Sequence, residues 1–265
     1  MKFMHFKASC SYAALADLLE LEGLDTEDDR IALDMGLPWI FARDGDTYLA
    51  GPMLQGAKWF DLWLNPKGCF FHEETIKAKA LPEALQHRGP CMFGMQTFYG
   101  KHAVVFTGYD GHFHLLNPTY KNSGEATELV MSAQELTAAV DGPVTLGCLR
   151  RTLPHDGDLR AVWEASIPVL RQNVAELGAF ASASHAPEIY MEALNQLFRP
   201  LLLDGITMLE LVGETNLAEQ FRSLQGELMA FLRTDRVGPL NAALSIPALR
   251  SLAEEYEQLI VKNLA

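Results

Sequence analysis

The chain has 265 residues, 49% of them hydrophobic and 21% charged. That balance builds a packed core and excludes a disordered protein. A formal net charge of −13 argues against nucleic acid or an anionic membrane surface as partner, since both are polyanions. No apolar run reaches the roughly 18 residues that span a bilayer, and Asp17 and Glu20 interrupt the N-terminal stretch before it could serve as a signal peptide. The expected location is therefore cytoplasmic.

In chain order, the first predicted helix covers 10–22. Ser9 is placed to cap it, Cys10 falls in its first turn, and Gly23 follows its last turn. Small residues at 13, 14 and 16 would let this helix lie close to a sheet. Residues 36–43 read as a short strand, 56–64 as an amphipathic helix and 75–87 as a helix or turn. Four strands are predicted at Cys91–Phe98, His102–Tyr109, Phe113–Asn117 and Val144–Arg150, with a short helix over 132–140. Asp110-Gly111 is a strong hairpin signal. After residue 151 strand signals vanish. Helices are expected at 158–176, 187–212 with a break near Pro200, 215–233 and 246–264. The expectation is an α+β domain over 1–151, a linker at 152–158 and an all-α domain over 152–265.

The chemistry-bearing residues are Cys10, His102 and Asn117. A thiol is a nucleophile as thiolate, and both a helix N-terminus and a nearby imidazolium favour that form. A two-residue Asp-Gly turn would pair Tyr109 with His112, Thr107 with His114 and Val104 with Asn117. Asn117 would then sit diagonally across from His102, close enough to orient it as base. Cys69, Cys91 and Cys148 lie in apolar runs and read as core. No two cysteines are spaced as C-x-x-C, so no zinc site is predicted. His112 and His114 form an H-x-H with no obvious third ligand. No metal and no cofactor is predicted.

Cys10-Ser11-Tyr12-Ala13-Ala14-Leu15 at a helix start, followed by His102-Ala103-Val104-Val105-Phe106-Thr107-Gly108-Tyr109-Asp110 and Leu116-Asn117-Pro118, resembles the papain-like superfamily, including bacteriocin-leader peptidases. This likeness covers roughly 1–151. The two-domain layout, with Gly36-Leu37-Pro38-Trp39-Ile40-Phe41, Gly51-Pro52-Met53 and Phe221-Arg222…Phe231-Leu232, resembles the butirosin biosynthesis protein H family. The resemblance implies a papain-like domain followed by a helical one. It also implies an acyltransferase with Cys10 as nucleophile, His102 as base and Asn117 as orienter. The acyl donor would be an acyl carrier protein or acyl-CoA, and the acceptor a small amine in a biosynthetic pathway.

Papain-like enzymes usually carry an oxyanion-binding Gln about six residues before the Cys. Here position 4 is Met, which leaves His5, Gln55 or Gln96 as replacements, or the Cys10 backbone N–H acting with another group. Cys10 stands so near the start that no pro-segment is expected. An acidic carrier protein would need a basic docking patch, for which Lys58, Lys67, Lys77, Lys79 and Lys101 are candidates. A helical domain of this size is suited to a homodimer. The alternatives carried forward are a papain-like peptidase or amidase and a non-catalytic binding protein.

Overall fold

The computed structural model describes residues 2–6, 9–97, 100–234 and 238–265. The end of the strand expected to reach Phe98 lies outside them. In chain order the elements are α1 (Ser11–Leu21), α2 (Asp28–Asp34), β1 (Phe41–Asp44), β2 (Thr47–Ala50), α3 (Ala57–Leu64), β3 (Cys69–Lys77), α4 (Leu81–Gln86), β4 (Cys91–Thr97) and β5 (Gly100–Tyr109). They continue with β6 (Phe113–Leu116), β7 (Glu128–Met131), α5 (Ala133–Ala138), β8 (Pro143–Arg151), α6 (Leu159–Ala181), α7 (Pro187–Ala193), α8 (Ile206–Leu211), α9 (Thr215–Leu232) and α10 (Ile246–Leu264). The fold is α+β. Among the described residues no helix is long and apolar enough to cross a membrane.

The chain divides into two compact units, and the division differs from the single cut expected at 151/152. One unit holds residues 1–35 and 55–157, the other 36–54 and 158–265. The second unit is therefore not all-α: it contains the antiparallel hairpin β1–β2. The physical reason is burial. Trp39, Phe41 and Ala50 join the apolar core built by Leu177, Phe221, Tyr256 and their neighbours. Tyr256 Oη donates to the Pro38 carbonyl at 2.8 Å, and the Phe41 N–H donates to Ser166 Oγ at 3.0 Å.

The first unit is built on an antiparallel six-stranded sheet in the order β3-β8-β4-β5-β6-β7. One face carries a core of Cys91, Phe93, Val104, Phe106 and Leu146 covered by α4 and α5. Ser132 and Glu135 close a reciprocal capping box at the start of α5. On the sheet, α1 packs against β4, β5 and β8. Every residue of α1 from Tyr12 to Leu19 is buried, so it behaves as a central core helix rather than a surface one. Its alanines allow the close approach. Gly23, at φ +82, ends it, with the Leu24 N–H donating to the Leu19 carbonyl at 2.9 Å.

In the second unit the helix break expected at Pro200 is absent. Helical chain runs on from α7 to α8 through two wide π turns, Leu194–Phe198 and Pro200–Gly205. The wider register absorbs the proline's missing N–H and ring. A Cβ on Gly205 would sit 2.7 Å from the Pro200 carbonyl, which only glycine avoids. Gly36 is under a stronger constraint. It has φ +66, and a Cβ there would lie 2.3 Å from the Trp163 ring. Gly36→Ala combines left-handed strain with overpacking and is expected to destabilise the second unit by about 2–4 kcal/mol. Denaturant unfolding followed by tryptophan fluorescence measures this, and an unchanged midpoint would refute it.

Candidate active site

Cys10 is the N-cap of α1, one position earlier than expected, because the helix proper begins at Ser11. Ser9 Oγ still accepts from a first-turn donor, the Ser11 N–H, at 3.3 Å. The sulfur lies where the helix's unpaired N–H groups concentrate positive potential. It accepts a hydrogen bond from the Ala103 backbone N–H at 3.0 Å and is hydrogen-bonded to the His102 ring. The fold thus brings together the start of the first helix and the start of β5.

The other end of the imidazole settles its tautomer. His102 Nε2 stands 2.7 Å from the Pro118 carbonyl oxygen. A carbonyl only accepts, so Nε2 carries a proton and Nδ1 is left to exchange one with the sulfur.

Charge follows from this geometry. Burial pushes the Cys10 thiol up. The His102 hydrogen bond and charge, then the N–H groups of Ala103 and Cys10 itself, outweigh burial and bring the thiol below its ordinary value. Burial likewise pushes His102 down, but the bond to the sulfur, the sulfur's charge, the Pro118 carbonyl and Glu125 raise it overall. The two opposite shifts favour a thiolate–imidazolium pair. Cys91 is the contrast: buried without such a partner, it is pushed up to about 12. Cys69 and Cys148 are also buried free thiols.

Asn117 does not reach His102. Its Nδ2 donates to the Ala126 carbonyl at 2.8 Å, and its backbone N–H to the Thr127 carbonyl at 2.8 Å. The group that meets the far nitrogen of His102 is the carbonyl of the next residue, Pro118. β6 ends at Leu116, so the chain leaves the ladder before Asn117 and turns its side chain into the 118–126 loop. Thr119 is held as well, by a bridge to Phe3 and by the Met4 N–H donating to its carbonyl at 2.9 Å.

The hairpin register has a related correction. Tyr109 pairs with Phe113 and Gly108 with His114, around a three-residue loop. An irregularity at Thr107 then restores Phe106 opposite Leu115 and Val105 opposite Leu116. A two-residue turn would give the same register at the site end.

Of the three proposed oxyanion residues, Gln55 alone lines the cleft with Cys10. Ser11 Oγ donates to its Oε1 at 2.5 Å. His5 instead bonds the buried Asp28 through Nδ1 at 2.5 Å. Gln96 is exposed, and its backbone N–H donates to the Ala139 carbonyl. Of the five lysines, only Lys101 lines the cleft. Lys58 and Lys67 lie over the rings of Trp59 and Trp63. His114 Nε2 bonds Asp110 at 2.8 Å. Among the described residues, the His/Asp grouping tight enough for an ion is His5, Asp28 and Asp29, away from the cleft.

The cleft measures about 970 Å³ and lies wholly within the first unit. Cys10, Ser11, Gln55, His102 and Tyr120 line it at the thiol, and Glu73, Thr145 and Gly147 farther along. No family model and no curated protein sequence matches the chain.

Proposed function

We propose that this chain is a papain-like thiol acyl-transfer enzyme that takes an acyl group from a thioester donor onto Cys10 and passes it to an amine. The observation that carries the reading is the pair itself: a half-buried sulfur at a helix N-terminus, bonded to an imidazole whose far nitrogen is held by a carbonyl, opening onto a cleft. Support for the papain-like architecture comes from the buried helix starting at the cysteine and packed on an antiparallel sheet that carries the histidine.

In the first half-reaction the Cys10 thiolate attacks the donor's thioester carbon. The tetrahedral oxyanion is met by the Cys10 N–H and the Gln55 amide. It collapses with departure of the donor thiol, which takes its proton from the His102 imidazolium. In the second half-reaction neutral His102 accepts a proton from the attacking amine, and the Cys10 thiolate leaves. Thioester-to-thioester exchange is near balance, so the donor's energy is kept for amide formation. The cleft carboxylate Glu125, whose charge also acts on His102, attracts an amine as its ammonium ion, which gives one proton to solvent before the neutral nitrogen attacks.

Intact-mass measurement after incubation with acyl carrier protein and acyl-CoA panels is expected to show one acyl adduct. The adduct should be absent in Cys10→Ala and discharged by added amines. Adduct loss at equal speed without amine would identify a hydrolase, and a chain that no donor acylates would end the proposal.

A further inference from the structure

We infer that the groove leading from Cys10 across the sheet holds the donor's acyl group as an extended, unbranched hydrocarbon chain, with Phe71 as its end wall. This rests on the acyl-transfer reading and adds the substrate class.

Ladder partners share a face, as do alternate residues along a strand. The pairs Ala103–Gly94, Met92–Gly147 and Gly147–Glu73 therefore place one row of positions on the face that α1 covers. All of them line the cleft. Where a chain bound to Cys10 would cross β5, β4 and β8, the floor offers Ala103, Gly94, Met92 and Gly147, with Thr145 beside the last. Two strand spacings give this path a length of roughly 10 Å.

The far end is closed by the Phe71 ring, packed between its neighbours. A Cβ on Gly147 would lie 2.0 Å from Phe71 Cζ and 2.4 Å from its Cε1, so the tip of that ring rests against the glycine. Phe60 of α3 meets Phe71 edge-on at 5.1 Å, and Tyr12 of α1 meets Phe60 at 5.2 Å. The Phe71 N–H is tied to Asp61 Oδ1 at 2.6 Å. Three aromatic side chains thus fix the stop relative to the helix that carries the nucleophile. The width is limited too, because the Lys101 stem lies over Gly94, with Cε 3.0 Å from where a Cβ would be. A branch near the reacting carbonyl would have to displace that stem.

The test uses N-acetylcysteamine thioesters of straight-chain acids from acetyl to dodecanoyl, with isobutyryl and an aminoacyl thioester beside them, reading Cys10 acylation of the full chain by intact mass. Acylation rates are expected to rise roughly fourfold per buried methylene to an optimum near octanoyl and then fall, with isobutyryl slower than butyryl. Phe71→Leu moves the optimum to longer chains. Gly147→Ala drives the ring into the groove and moves it to shorter ones. Rates indifferent to chain length, an optimum unmoved in Phe71→Leu, or preference for the aminoacyl donor would overturn the inference while Cys10 acylation itself stood. Failure of every donor to acylate Cys10 would remove the acyl-transfer reading beneath it.

Discussion

Replacing His102 with alanine lowers iodoacetamide alkylation of Cys10 at mildly acidic pH by about tenfold and lowers acyl transfer much further. The modest first number comes from two opposed effects. Without the imidazole, the hydrogen bond and charge that hold the thiol below its ordinary value are gone, and the thiolate population falls. The remaining thiolate is more basic and so more nucleophilic, with a Brønsted slope of about 0.4–0.5, which recovers nearly half of the loss on a logarithmic scale. Acyl transfer gains no such relief, because the donor thiol still needs a proton and the amine still needs a base. Loss of that function slows turnover by a further factor of roughly 10²–10⁴. The pH dependence has a definite sign. Wild-type activity fades on the acid side as the lowered Cys10 site protonates, and on the alkaline side as the raised His102 loses its proton. In His102→Ala the alkylation inflection moves up towards that of an ordinary thiol. An inflection that stays in place would mean His102 does not support the thiolate.

The second large effect concerns Asn117. If its amide oxygen oriented the base directly, Asn117→Asp would strengthen the imidazolium and preserve activity. The structure gives the opposite expectation. The Asn117 side-chain N–H donates to the Ala126 carbonyl and the next residue's carbonyl, Pro118, meets His102 Nε2, so Asn117 is expected to act through the backbone. In Asn117→Asp a carboxylate would face the Ala126 carbonyl, acceptor against acceptor. In Asn117→Ala the carbonyl of the exposed Ala126 loses its donor. The alanine variant is expected to lose about 0.5–1.5 kcal/mol of stability and the aspartate variant, which buries a carboxylate, about 1–3 kcal/mol. Displacing the base by an ångström slows turnover up to about a hundredfold, with the loss in kcat and little change in donor KM. A fully active Asn117→Asp with a higher alkaline limb would assign the orienting role to the side chain instead.

Much of this arrangement was legible because its signals are local. Ser9 before Cys10 and Gly23 after Leu21 delimit α1, and Ser132 with Glu135 announces α5. Besides β2, the strands missed were β3 and β7, the two edges of the six-stranded sheet. Edge strands carry charge to discourage further pairing. His72, Glu73 and Glu74 in β3 break the apolar alternation by which the central strands are recognised. The Asp110–His112 loop was misread by one residue, yet the register at the site survived, since the irregularity at Thr107 compensates. Neither the transfer of residues 36–54 to the helical unit nor the role of the Pro118 carbonyl leaves a mark on local sequence. The first is decided by which core buries Trp39 and Phe41, the second by where β6 releases its partner.

The segment 36–54 also sets a timetable for the nascent chain. Its apolar side chains leave the ribosome long before the helices that bury them, and the bond between Tyr256 and Pro38 closes across 218 residues. Loops of that span are slow to close, so the segment waits, sticky and unshielded, while the polypeptide on either side of it is already collapsing. Truncation from the C-terminus would make that wait permanent. A shortened chain retaining Cys10 and His102 is expected to emerge as a chaperone client rather than as a free-standing catalyst.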